Sequence, residues 1–321
     1  MVNASFLGRY GWLLVPLAGL GAALALCFFP LHLKLSSTIP ALIAALATFG
    51  VWQFYWLKRP DPGISALAES ATFLLVIMPP LAIINYSTTM AARPLLDGTF
   101  ARMDALMGFD WLAHLAWVKA WPGLGTMLTL AYSSSIVQLL VAIIILAYCR
   151  RMRDLREFIV LFVLTLTVTL LLSAIFPASG AYVYFAPPAD MAVGFDPRNG
   201  IWHLAQFNGL RDGTMTTLDL THTEGLVTFP SFHTILAILT MWSVREVRYV
   251  AIPVALLNVL VVLSTLSIGG HHLIDVVAGA LIAVTGILAF RMASYTGRPA
   301  HIEPRLRPEP APTVGIILLD K

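Results

Sequence analysis

Eight apolar runs, most of them long enough to cross a bilayer, constrain this chain more than any other feature. They cover residues 12–30, 38–57, 64–86, 124–148, 158–176, 230–244, 249–268 and 271–291. A spanning helix takes about 20 mostly apolar residues. Helices also close their backbone hydrogen bonds internally, which the hydrocarbon demands. Only 12% of the 321 residues are charged and 58% are hydrophobic, whereas soluble domains carry about 25% charged residues. The expected fold is therefore all-α and polytopic, embedded in a membrane bilayer. The net charge of +3 gives no reason to expect a nucleic-acid partner. Cys27 and Cys149 have no ligand spacing and imply neither a disulfide framework nor a metal site. No cofactor is expected. The first run lacks a small-residue cleavage pattern and reads as a retained helix.

Charge sets the orientation. With the N-terminus in the cytoplasm, the inside segments hold 14 Lys and Arg residues and the outside segments hold six. The positive-inside rule then puts both termini in the cytoplasm. Two long connections, 87–121 and 177–229, fall outside, in a periplasm or lumen. Residues 1–63 read as a two-helix hairpin, 64–296 as a core, and the Pro-rich, charged 297–321 as a disordered tail. The run 230–244 would rise only ~22 Å at 1.5 Å per residue, so its start should sit in a recess. Around 98–118, Phe100, Met103 and Met107 recur at helical spacing with Arg102 and Asp104 on other faces. That spacing predicts an amphipathic helix on the membrane surface. Residues 177–229 are long enough to be a functional lid. Glu69, near the cytoplasmic end of its run, is expected to snorkel.

Two strings carry the chemistry: Phe229-Pro230-Ser231-Phe232-His233 and Gly269-Gly270-His271-His272-Leu273-Ile274-Asp275. Pro230 suits the first position of a helix. The free N–H groups from Ser231 to His233 would then attract phosphate, and Ser231 adds a hydroxyl. His271 and Asp275, four apart, would stack on one helical face. A carboxylate on one ring nitrogen fixes the tautomer and leaves the other nitrogen as a nucleophile. Gly269 and Gly270 allow a tight turn. The reaction implied has two steps. His271 attacks phosphorus while His233 protonates the leaving oxygen; water or an alcohol, activated by His233, then attacks the phosphohistidine. A lone membrane histidine is commonly a packing residue, but two with an aspartate at adjacent helix ends are a functional signal. His272 points about 100° away from His271 on a helix and reads as interfacial or pocket-lining. Tyr132, Ser133, Ser134, Ser135 and Gln138 could line a pocket, although helix–helix contact is the commoner use of such groups.

These strings resemble the phosphatidic acid phosphatase type 2 superfamily, which also includes vanadium haloperoxidases. Its Pro-Ser-Gly-His motif appears as Pro230-Ser231-Phe232-His233, with Phe for Gly. Its motif of Ser-Arg, five residues, His, three residues, Asp appears as Ser264-Thr265 followed by His271 and Asp275, with Thr for Arg. The resemblance covers roughly 64–291 and implies a six-helix catalytic core behind two extra helices. It also implies His271 as nucleophile, Asp275 as its partner and His233 as acid/base. Ser231, Ser264, Thr265 and Gly270 then fall at substrate-binding positions. The family's first motif, Lys, six residues, then Arg-Pro, is missing. Its expected place, 176–185, has no cation.

The bulky residue before the motif histidine looks like the branch of inositol phosphorylceramide synthases and their bacterial relatives. A monoester approaches about −2 charge at neutral pH and a diester only about −1, so fewer cations fit a diester. The resemblance thus implies a transferase moving a phosphoryl head group from a phospholipid donor to a lipid or polyol alcohol, at the outer face of a bacterial inner membrane. A phosphatase using water, and a non-catalytic lipid-binding or lipid-moving protein, are the alternatives. Arg211 is the leading replacement for the phosphate clamp and Arg198 the second; each could equally be a solvated loop residue. Tyr182 and Tyr184 could donate to phosphate oxygens or anchor in the aromatic belt.

Overall fold

The computed structural model describes residues 7–296, apart from 122, 192, 193 and 195–197. The tail expected at 297–321 lies outside the described residues. The chain opens with α1 (Gly8–Trp12), α2 (Leu14–Phe28), a two-residue strand β1 (His32–Leu33) and α3 (Ile39–Leu57). Next comes α4 (Pro62–Met90), started by Asp61, whose carboxylate accepts from the N–H groups of Gly63 and Ile64. Pro62 occupies its first turn, where a missing N–H costs nothing. Pro79 and Pro80 lie inside α4 without ending it.

The connection after α4 folds into α5 (Asp97–Leu106) and α6 (Trp111–Ala120). Then come α7 (Leu124–Ser133), α8 (Ser135–Tyr148) and α9 (Met152–Ile175). The next long connection contains α10 (Ala181–Phe185), α11 (Leu204–Arg211) and a strand β2 (Thr217–Leu218). The chain closes with α12 (Phe232–Val244), α13 (Ala251–Ser267) and α14 (Leu273–Thr296).

Four segments are long and apolar enough to cross a membrane: Leu35–Leu57, Pro62–Met90, Met152–Ile175 and Leu273–Ala293. Helices α7 and α8, bent by 50° at Ser134, pass the same test as a pair and make a fifth candidate if the two count as one span. Helices α2, α12 and α13 are apolar but shorter. Large apolar side chains point outward, among them Leu42, Ile43, Leu46, Leu140, Ile144, Leu281 and Leu288. Apolar surface of this extent is unusual on a soluble monomer and suits lipid tails. The protein is an all-helical, polytopic membrane protein. Helix α12 sits at its centre, packed on α8, α9, α13 and α14. Phe73, Ile77, Leu155, Phe158, Ile159, Phe162, Ile235 and Leu239 fill the core around it.

The two ends of the bundle differ. One end is laced by ion pairs: Arg150 with Asp61, Arg151 with Asp154 and Glu246, Arg245 with Asp154, and Arg291 with Glu157. The other end carries α5, α6 and the connection between α9 and α12. That connection is built, not loose. β2 pairs in parallel with β1, His32 opposite Thr217 and Leu33 opposite Leu218. Lys34 and Asp219 bridge beside them at 2.8 Å.

Three expectations need correction. The surface segment is two helices, separated around Gly108, which has φ 76°. The buried face of α5 is Asp97, Phe100 and Asp104, while Met103 and Met107 are exposed. Carboxylates can occupy that face because the rest of the site supplies their partners. Glu69 does not snorkel: it is 1% exposed and accepts from the Leu7 N–H and the Trp12 indole. Finally, α12 starts at Phe232 with Ser231 as its N-cap, so Pro230 lies outside the helix.

Candidate active site

A cavity of about 380 Å³ opens among α4, α7, α8, α9 and α12 at the end of the bundle that carries the long connections. His271, His233, His203, Tyr132 and Trp202 line one part of it. Met78, Leu81, Ile136, Phe162, Leu166 and Leu236 line the rest, one to two turns deeper along their helices. The result is a polar head above an apolar chamber.

His271 lies in the turn before α14, not on a helical face as its spacing from Asp275 predicts. Its N–H donates to the Thr265 carbonyl at 3.1 Å, and Gly270 turns the chain at φ 68°. A side chain at 270 would meet Gly200 Cα at 2.9 Å, so the turn requires glycine on both counts. The His271–Asp275 contact survives by another geometry. Asp275 sits in the first turn of α14, and its Oδ2 is 3.3 Å from His271 Nδ1 and accepts the His272 N–H at 3.0 Å. Nε2 is left as the nitrogen available to a substrate. The two strings are also joined directly, because the Ser231 N–H donates to the Asp275 carbonyl at 3.0 Å.

His233 occupies the first turn of α12. Its Nδ1 is 3.1 Å from the Tyr132 hydroxyl, and the two rings stack with centroids 4.1 Å apart. Trp202 stacks on the other side of Tyr132 at 6.1 Å. An imidazole held at Nδ1 keeps Nε2 for proton transfer. Tyr132 is therefore a cavity residue. Its neighbours are structural: Ser134 and Ser135 donate back to the Ala131 and Tyr132 carbonyls, and Gln138 donates to Ser134 and accepts from Asn258.

Several residues expected to bind substrate have other partners. The Ser231 hydroxyl is fully buried and caps α12, accepting from Thr234. Ser264 and Thr265 donate back to the Val261 and Val262 carbonyls. Tyr182 packs edge-on against Trp111 and covers Gly200. Tyr184 is half exposed and lies over Gly98. None of these lines the cavity. Arg211 donates to the Arg93 carbonyl at 2.8 Å, stacks over Phe207, and lines a separate small pocket with Thr88 and Pro177. Arg198 is exposed. The described residues lining the cavity include no Lys or Arg. Among the described residues, no group of three or more His, Cys, Asp and Glu is arranged to hold a metal ion.

Two histidines carry more than their sequence positions suggest. His203, 5% exposed, donates through Nε2 to the Ser179 carbonyl at 3.1 Å. Burial pushes its pKa down, and the charge of His271 adds to that effect. The only signal in the sequence is a Trp-His pair in the long connection. His272 is fully buried, with Nδ1 3.3 Å from Asp104 and Nε2 3.6 Å from Asp97. Burial opposes its charge, but Asp104, Asp97 and Asp275 together outweigh it and raise its pKa to about 9. Asp104 also accepts the Leu273 and Ile274 N–H groups, capping α14. Asp97 accepts from the Ser179 and Gly180 N–H groups. Burial works against that carboxylate too, yet His272 and these amides hold it below its usual range. One imidazole thus ties α5, the 178–182 segment and the turn that carries His271 together.

An all-helical membrane bundle with paired histidines and an orienting aspartate at a lipid-shaped cavity defines a class of lipid phosphoesterases and phosphotransferases. A family model described as the PAP2 superfamily matches residues 98–289. The chain belongs to that superfamily, and is an enzyme of phosphatase or phosphotransferase type. No curated protein and no solved structure matched it.

Proposed function

We propose that the protein is a lipid phosphotransferase that works through a phosphohistidine on His271, resembling the inositol phosphorylceramide synthase branch. The observation that carries this reading is the single cavity in which His271 and His233 face an apolar chamber. A phospholipid donor places its phosphate at the histidines and its acyl chains among Leu81, Phe162, Leu166 and Leu236. Asp275 holds His271 so that Nε2 attacks phosphorus. The P–O bond to the leaving alcohol breaks as His233 gives that oxygen a proton. An acceptor alcohol then loses its proton to His233 and attacks the phosphohistidine, releasing His271. The want of Lys and Arg among the described residues lining the cavity favours a diester, because those residues offer a dianionic monoester no cation. The site faces the periplasm or lumen of a bacterial inner membrane in this reading, in line with the bias of Lys and Arg toward the opposite end.

The same machinery with water as acceptor is a phosphatase. Incubating the purified protein with a phospholipid, with and without candidate lipid or polyol alcohols, separates the two. A new phosphodiester product supports transfer; free phosphate or phosphoalcohol as the sole product rejects it. Label from the donor trapped on wild-type protein but not on His271→Ala supports the intermediate. Unchanged turnover in His271→Ala rejects the enzyme reading altogether.

A further inference from the structure

One charged group in the cavity has no part in the chemistry above. Glu224 lines it together with Asn85, Tyr86 and His203. Its Oε2 is buried and has no hydrogen-bond partner. Burying a carboxylate oxygen without a donor costs free energy, and a donor brought by a ligand would relieve that cost. The position is nevertheless firmly built. The Glu224 N–H donates to the Tyr86 hydroxyl at 2.8 Å, and Tyr86, 1% exposed, donates in turn to Gln206. Gln206 anchors the segment again by donating to the His222 carbonyl at 2.7 Å.

A carboxylate on so well anchored a backbone is an odd neighbour for a phosphate. In a chamber whose described lining holds no Lys or Arg, it repels the anions that enter. The repulsion becomes attraction only if the substrate brings its own cation. The rings of Tyr86 and Trp202 line the same chamber, and aromatic rings suit a cation. We infer that Glu224 is a specificity determinant that receives the ammonium of an amine-bearing phospholipid head group, so that the donor is a zwitterionic diester. This inference rests on the proposed phosphotransferase reading for its substrate. Glu224 would pair the amine while the phosphate lies at His271 and His233.

The test compares phosphatidylethanolamine with phosphatidylethanol, which has the same chain length and phosphate but no amine. Binding to the full chain is read first in the His271→Ala protein, where no turnover interferes. One charge-assisted hydrogen bond is worth about tenfold or more in affinity, so the amine lipid should bind roughly tenfold tighter. Adding Glu224→Gln should reduce that ratio to near one. Equal binding of the two lipids to the His271→Ala protein, with Glu224 intact, overturns the inference whatever Glu224→Gln does to folding. A preference that persists in Glu224→Gln overturns it as well. Failure of both lipids to turn over in the wild-type protein would strike the phosphotransferase reading alone, leaving the binding comparison to stand or fall by itself.

Discussion

Asp104 and His272 are 168 residues apart in the chain and 3.3 Å apart in the fold. Helix α5 thereby reaches under the turn that carries His271. Because His272 has a pKa of about 9 in the folded protein against 6.5 ordinarily, its contribution to stability has a definite sign. A raised pKa stabilises fully below about 6.5, and the contribution is lost as pH rises through about 9. Thermal stability of the detergent-solubilised protein should fall between pH 7 and 9.5. His272→Gln should be less stable at pH 7 and should flatten that slope. An unchanged slope in the variant would remove His272 from the account.

Tyr132 orients the proposed acid/base rather than the nucleophile. Tyr132→Phe keeps the ring stack on His233 but deletes the hydroxyl 3.1 Å from Nδ1. One such hydrogen bond is worth about 1 kcal/mol, or roughly fivefold in rate. Turnover should drop by that order with KM little changed. A rise in KM alone would mean that the hydroxyl binds substrate instead.

Ser231 is a cap in this fold. Ser231→Ala should cost about 1 kcal/mol of stability, with KM for the lipid preserved. The decisive comparison is melting against KM. A large KM increase at unaltered stability would restore Ser231 to the substrate.

Arg211 lies in its own pocket, stacked on Phe207. Arg211→Ala should leave kcat within roughly twofold, since surface contacts of this kind are worth about 1 kcal/mol or less. A loss of roughly a hundredfold would place its guanidinium on the phosphate after all.

Gly270 tests the turn itself. At φ 68°, with Gly200 Cα 2.9 Å from any added Cβ, Gly270→Ala should cost more than about 1 kcal/mol from strain alone. Thermal melting measures it. A variant as stable as wild type would show that the segments carrying Gly200 and Gly270 can part freely.

What could be read from the sequence was whatever depends on local composition. Apolar runs announced the helices, because hydrocarbon admits almost nothing else. The histidines and Asp275 stood out because ionisable residues are rare in such runs. Long-range pairing stayed hidden. Asp104 looked like the wet side of an amphipathic helix, since nothing nearby in the sequence announces the His272 and backbone amides that it meets. His271 and Asp275 were rightly paired, but by a turn that only Gly270 and its neighbour Gly200 explain. Tyr132 was indistinguishable from an ordinary helix-contact tyrosine until the bend at Ser134 carried it beside His233.

The cavity also redraws the boundary of the working unit. Its wall at Met78, Leu81, Ala82, Asn85 and Tyr86 belongs to α4, upstream of the residues 98–289 that the superfamily shares. The β1–β2 pairing fastens the first hairpin to the segment that delivers Glu224. The matched region holds His271, His233 and Asp275 and part of the cavity wall, and α4 supplies another part of that wall. On the proposed reading, substitutions along the α4 wall would alter the fit of the lipid while leaving His271, His233 and Asp275 in place.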